Sequence, residues 1–291
     1  DVGDKIAQVL MAADREPYPS ESIRLLQQLH SAPIDLDLLG AAVARVRDAG
    51  VTTAVRISPQ NAQALTPTLV AAGIDLLVIQ GTIISAERVA QDAEPLNLKT
   101  FISELDVPVV AGGVLDQRTA LHLMRTGAAG VIVGYGSTSG VTTSDEVLGI
   151  SVPMATAIAD AAAARREYLD ETGGRYVHVL ADGDIHTSGD LAKAIACGAD
   201  AVVLGTPLAS AAEAPGGGWF WPVAAAHPSL PRGALLQVAD GERPSLEQVL
   251  TGPSDDPFGS LNLVGGLGRS MAKAGYCDLK EFQKVGLTVG S

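Results

Sequence analysis

Residues 177–206 read VHVLADGDIHTSGDLAKAIACGADAVVLGT. An apolar run ends in a small polar turn at Ala181-Asp182-Gly183, and helical spacing follows from Ser188 to Ala196. Cys197-Gly198 then leads straight into a second apolar run, which ends at Leu204-Gly205-Thr206-Pro207. Glycine just past a helix takes the left-handed conformation that closes the last turn, and a run apolar on both faces suits a strand buried in a parallel sheet. The stretch therefore predicts a strand, a helix and a parallel strand, with a glycine turn at the carboxyl end of each strand.

The same step recurs upstream. Ala49-Gly50 passes into VTTAVRI, Ala72-Gly73 into IDLLVIQG and Thr126-Gly127 into AAGVIVGYG, while PVVAGG from Pro108 fits a strand without the glycine entry. Six strands are expected, starting near residues 51, 74, 108, 129, 177 and 199. Helical patterns fill the intervals at 61–72, 97–105, 117–125, 153–171 and 188–196. Three more, at 5–13, 22–30 and 36–49, precede the first strand with no strand between them. Six parallel strands suit either an open doubly wound sheet or part of a closed barrel. No G-x-G-x-x-G opens a helix after a strand, so the dinucleotide-fold reading lacks its usual sign.

Composition bounds the partners. Among 291 residues, 33 acidic against 20 basic side chains give a formal charge of −13. Such a field repels nucleic acid and anionic lipid, whereas backbone N–H groups at helix starts can still hold a small phosphate. Two cysteines, Cys197 and Cys277, give no disulfide scaffold and fit a reducing compartment. With no signal peptide or apolar stretch of membrane length, a cytoplasmic protein is the default expectation.

Glycine and small polar residues cluster after the last two strands, at 181–190 and 204–207. A barrel builds its phosphate site there, from two adjacent glycine turns and a short helix N-terminus; plain tight turns are the simpler alternative. A third loop, Gly134-Tyr135-Gly136-Ser137-Thr138-Ser139-Gly140-Val141-Thr142-Thr143-Ser144, is longer and richer in glycine than a connection requires.

These segments resemble a known family. ADGDIHTSGDLAKAIACGADAVVLGT is similar to the ADGGI-x-x-SGD…ALA-x-GADAV-x-LGS phosphate segment of IMP dehydrogenase and GMP reductase. VGYGSTSGVTTSDEVLGISVPMATAI resembles their VGIGPGS-x-CTTR…GVGVPQ-x-TAI loop, and GGLGRSMAKAGYCDLKEF their closing helix and turn. The match runs in fixed order from Val51 to about Ala212 and again from Leu261 to Val289. It implies a TIM (β/α)8 barrel without a CBS module, in which 1–50 is a helical segment and 51–291 carries strands 3 to 8, the flap and the C-terminal helices. The first two βα units are then expected to be missing from this chain, leaving a gap between the strands starting near Ala199 and Val51.

Carried across position by position, the resemblance implies a nucleotide site. Asp182 matches the aspartate that bonds the ribose hydroxyls. Gly183, Asp184, Gly205 and Thr206 fall in the 5′-phosphate turns, and Ser139 matches a phosphate-bonding serine. Gln80 and Gly113 stand on the nicotinamide side, where the family keeps aspartate and asparagine. NAD or NADP, a monovalent cation at the 136–141 loop and a homotetramer follow from the family alone.

The chain departs from a working enzyme at the reacting atom. The family's cysteine attacks the purine C2, and its position here is Val141, which has no lone pair to donate. Thr143 matches the family's catalytic threonine but lacks a covalent intermediate to act on. Asp184 places a carboxylate where the family has glycine. Pro231-Arg232-Gly233-Ala234 only partly matches the turn that contacts phosphate and base, and residues 235–260 hold one arginine, Arg243, and no tyrosine for the flap's water-activating pair. His186 reads as an anion contact or a capping residue, Cys197 as a core residue, and Trp219-Phe220-Trp221 as an interface patch more than a cofactor platform.

Two functions are weighed. One is a family protein that binds a purine nucleoside 5′-monophosphate, or a similar phosphorylated small molecule, without the cysteine-dependent hydride transfer. The other is an active NAD(P)-dependent oxidoreductase of the family acting on IMP, GMP or a related nucleotide. A structural subunit paired with an active paralogue is a third class.

Overall fold

In the computed structural model the described residues are 2–13, 20–81, 96–136, 147, 149, 151–183, 185–221 and 235–288. Six strands, β1 (Ala54–Ile57), β2 (Leu76–Gln80), β3 (Val109–Val114), β4 (Gly130–Val133), β5 (His178–Ala181) and β6 (Ala201–Val202), form one sheet in sequential order. Every pairing is parallel. This is a partial (β/α) barrel, in which β1 and β6 occupy the two edges. All six strands begin within the stretches read from the sequence, one to three residues later than their expected starts, and only β3 runs past its stretch, by one residue.

Register and burial separate the faces of the sheet. One row, Ile57, Ile79, Ala111, Val131 and Val179, pairs across β1 to β5, and its members join the main core beneath the helices. The alternate row, Arg56, Val78, Val110, Gly130 and His178, faces the barrel interior. Of these, Arg56 and His178 are exposed while Val110 is buried. Strands alternate their side chains with period two, so Gln80, two residues beyond Val78, belongs to the inner row. Asp182, two beyond Leu180, reaches the same side from β5.

The helices are fixed by local chemistry. Helix α1 (Val2–Ala13), α2 (Ser20–His30) and α3 (Leu36–Asp48) precede β1, and α4 (Ala62–Ala71) follows it. Asp35 caps α3 by accepting from the N–H groups of Asp37 and Leu38. Helix α5 (Leu98–Ser103) is capped by Asn97, and α6 (Gln117–Arg125) by Asp116. The 19-residue α7 (Met154–Thr172) packs a stripe of small residues, Ala157, Ala161 and Ala164, close to α6 and ends at Gly173 with φ 68°. Helix α8 (Ser188–Ala196) opens with a capping box, in which the Thr187 hydroxyl accepts from Asp190 N–H and the Asp190 carboxylate answers to Thr187 N–H. Short helices α9 (Thr206–Ala209), α10 (Leu246–Leu250), α11 (Leu263–Lys273) and α12 (Leu279–Phe282) complete the chain.

A second, smaller core lies apart from the first. Val9 and Ala13 of α1, Ile23 and Leu26 of α2, and Leu235 are buried together, with Trp219 and Trp221 packed against them. Trp219 belongs to β7 (Trp219–Phe220), which pairs antiparallel with β8 (Leu236–Gln237). The tryptophans of the aromatic patch thus cover the chain's own N-terminal helices, a packing role that the sequence reading did not include. Val43 of α3, by contrast, joins the barrel core. Among the described residues, no helix is long and apolar enough to cross a membrane.

Candidate functional site

The carboxyl ends of β2 to β5 converge on Asp182. Its backbone N–H donates to the Val133 carbonyl at 2.7 Å, and its carbonyl accepts from Gly136 N–H at 2.9 Å, so β4 and the turn after it clamp the aspartate from both sides. The approach is close enough to require glycine. At Gly134, with φ 88°, an added Cβ would lie 2.3 Å from the Asp182 carbonyl oxygen. Only a residue without a side chain fits both the backbone angle and the gap.

The Asp182 carboxylate is 5% exposed, and the Gln80 side-chain amide donates to its Oδ2. Gln80 is itself 6% exposed. Burial pushes the Asp182 carboxyl above the ordinary range, against the opposing pull of the Gln80 amide and the Arg56 charge. A raised carboxyl held by one neutral donor favours ligand groups that bring further hydrogen-bond donors. The sequence put Asp182 on a sugar and Gln80 on the cofactor side without connecting them. They meet because both occupy inner-row positions at the same end of the sheet.

Beside Asp182 lies a cavity of about 250 Å³, lined among others by Leu115, Tyr135, Gly136, Met154 and Gly183. Met154 presses on the Gly183 turn, since a Cβ at Gly183 would sit 3.1 Å from its Sδ. This residue was missed, although the quoted loop carried the signal: Met154 stands at the glutamine of the family's GVGVPQ stretch. Gly113 is tucked beneath the turn after β4, where an added Cβ would lie 1.9 Å from the Gly134 carbonyl oxygen. No side chain fits there without moving the loop.

Gly205 and Thr206 sit at the next turn, after β6, and do not line this cavity. Gly205 precedes α9, and the Phe220 ring faces it, with a Cβ built at Gly205 lying 4.0 Å from both Cε2 and Cζ. His186 is exposed, and its backbone N–H donates to Asp190. Arg243, the arginine of the flap segment, is occupied with structure: its guanidinium donates to the carbonyls of Ala211 at 2.8 Å and Ala212 at 3.1 Å. Burial pushes the Cys197 thiol up, as suits a core residue. Ser139, Val141, Thr143 and Asp184 lie outside the described residues, as do Thr142 and the 231–234 turn. Among the described residues no group of histidine, cysteine and carboxylate side chains could hold a metal ion.

The likeness to known proteins agrees with this arrangement. The IMP dehydrogenase / GMP reductase domain matches residues 41–223, more than half of the chain. An uncharacterized oxidoreductase of Mycolicibacterium smegmatis is 91% identical over 291 residues, covering 100% of this chain and 78% of that protein. Another from Mycobacterium tuberculosis H37Rv is 86% identical over 290 residues and 77% of its own length. Inosine-5′-monophosphate dehydrogenase of Pasteurella multocida shares 40% identity over 166 residues, 57% of this chain and 31% of that protein. The crystal structure of an IMP dehydrogenase/GMP reductase-like protein from Corynebacterium glutamicum superposes with a TM-score of 0.91 at 57% identity, covering all of this chain and 75% of that one. With a matching domain, extensive relatives and a shared fold, the chain belongs to the IMP dehydrogenase/GMP reductase family.

Proposed function

We propose that this chain binds a purine nucleoside 5′-monophosphate at the carboxyl ends of its strands and lacks the family's cysteine-dependent hydride transfer. The observation that carries the reading is Asp182, a buried carboxylate beside a cavity and next to the Gly183 turn. Its Oδ2 takes the Gln80 amide, and its remaining acceptor capacity suits the hydroxyl donors of a ribose. Gly183, Gly205 and Thr206 would offer backbone and hydroxyl donors to the phosphate, with Ser139 joining from the loop before Val141.

The chemical half of the family's site is changed. Valine at 141 supplies no nucleophile, and the threonine at 143 then has no covalent intermediate to serve. A nicotinamide cofactor would accept or donate the hydride in the family reaction. At the two positions facing it, this chain offers an amide committed to Asp182 and a glycine with no room for a side chain. These residues do not fit the cofactor's family contacts, so no step is drawn through it.

The test is calorimetry of the purified protein with IMP, GMP, ribose 5-phosphate and inorganic phosphate, beside a steady-state NAD(P)H assay with each nucleotide. Nucleotide binding without turnover is the expected result. Because close relatives carry the name oxidoreductase, the second reading is a turnover that bypasses the cysteine, and the same assay would reveal it.

A further inference from the structure

We propose that Phe220 is a positioning residue, and that strand β7 braces the Gly205–Thr206 turn against the α1–α2 hairpin. The proposal takes its functional meaning from the reading of that turn as a phosphate loop. It rests on the division of labour within three consecutive aromatic residues. Trp219 and Trp221 pack against the second core, made by Val9, Ala13, Ile23, Leu26 and Leu235. Phe220, between them, turns its ring edge toward Gly205, where an added Cβ would lie 4.0 Å from Cε2 and Cζ. Side chains alternate along a strand, so a single short strand has the N-terminal helices on one side and the turn on the other.

The strand is anchored against slipping. It pairs with β8 through Trp219 and Gln237 and through Phe220 and Leu236. At its start, Trp219 N–H donates to the Gly216 carbonyl at 2.9 Å, and Val238 N–H donates to Gly218 at 2.8 Å. Gly217 approaches α1, with an added Cβ 3.9 Å from Leu10 Cδ1. On the other side, α9 is a single turn whose Ala209 and Ser210 amides donate back to the Gly205 and Thr206 carbonyls at 3.0 and 3.2 Å. One helical turn has little stability of its own. Arg243 holds the carbonyls of Ala211 and Ala212 just beyond the turn, which leaves Phe220, seated on the second core, to back its start at Gly205.

Hydrogen exchange in the ligand-free protein tests this without assuming any ligand. Trp219 and Trp221 are the protein's two tryptophans, so their emission reports whether the second core has loosened. In Leu26→Ala, which opens that core from α2, emission should shift to the red. The Ala209 and Ser210 amides should then exchange at least about tenfold faster while Val131 and Val179 stay unchanged, as expected of a local opening. Phe220→Leu, which keeps an apolar side chain but shortens its reach, should speed the same two amides with less change in emission. Unchanged exchange at Ala209 and Ser210 in Leu26→Ala despite the red shift overturns the brace. So does a uniform acceleration that includes Val131 and Val179, which would mark general destabilisation. Calorimetry of the wild type with GMP runs in parallel: no binding alongside the selective acceleration removes the nucleotide reading and keeps the brace, whereas binding without the acceleration does the reverse.

Discussion

Arg165 and Asp200 form a buried ion pair, Nη1 to Oδ2 at 2.7 Å, at the amino ends of β5 and β6, the end of the sheet opposite Asp182. Asp200 also accepts from Val179 N–H at 2.9 Å, from the Tyr176 hydroxyl at 2.7 Å and from the Lys280 ammonium. Lys280 and Gln283 come from the region of α12, so one carboxylate ties the C-terminus of the chain to the barrel floor. Burial pushes the Asp200 carboxyl up, but Lys280, the Val179 amide, Tyr176 and Arg165 outweigh it and hold it at about 2.

That depressed value fixes the sign of a stability effect. A carboxyl whose folded pKa lies below its unfolded value stabilises the fold above the unfolded value and stops doing so as pH falls through the folded one. The difference from the ordinary 3.8 is worth on the order of 2 kcal/mol at neutral pH. Asp200→Asn should lose about that much in urea unfolding at pH 7, and the gap from wild type should narrow as pH falls from 4 toward 2. Asp200→Ala should cost more, about 3–5 kcal/mol, because Arg165 is then left buried without its partner. Equal stability of all three proteins at pH 7 would show that the cluster is ornamental.

Asp182 carries the opposite sign. Its carboxyl is raised by burial, so it favours the fold below its unfolded value, and that contribution is lost as pH rises through the folded one. Asp182→Asn should therefore be more stable than wild type at pH 7.5, with the difference shrinking toward pH 4, while nucleotide binding weakens. The size of the gain is about 1–2 kcal/mol, the usual range for relieving a strained functional position. Denaturation at the two pH values and calorimetry with GMP check the two halves separately.

The strands were legible because most of their residues are apolar on both faces, Arg56 and His178 being exceptions, and most helices announced their ends with glycine. Val109, Val131 and Val179 could hardly lie elsewhere than under helices. The partnership of Gln80 with Asp182 was not legible, since it depends on strand order and inner-row parity across 102 residues. The packing of Trp219 and Trp221 on α1 and α2 was not legible for a related reason. An aromatic run beside glycines looks the same whether it covers another subunit or the chain's own α1 and α2, and only the tertiary packing decides.

Gly113 tests how far the family's chemistry could be returned to this backbone. Its added Cβ would meet the Gly134 carbonyl oxygen at 1.9 Å, and the obstacle is main chain, which cannot swing aside as a side chain would. Gly113→Asn, the family residue, should cost about 1–3 kcal/mol or more, and Gly113→Ala nearly as much, since the first carbon makes the clash. A thermal melt measures both. Wild-type stability in either variant would mean that the 134–136 turn yields easily.

The last prediction concerns the reacting position. Purified protein given IMP and NAD should form no NADH above about a thousandth of an ordinary turnover of ~10 per second, because Val141 cannot attack the purine. Val141→Cys supplies the thiol but not its setting. Gln80 remains bonded to Asp182 where the family has a free carboxylate, Gly113 presents no side chain, and Arg243 is tied to the Ala211 and Ala212 carbonyls instead of serving a flap base. The variant should therefore stay within about tenfold of the wild-type baseline in steady state, since catalytic groups that act as a unit do not return one at a time. A covalent adduct with IMP, seen by mass spectrometry without NADH release, would place the block after nucleophilic attack and agree with this account. Full turnover by Val141→Cys would show instead that the cysteine was the single missing part.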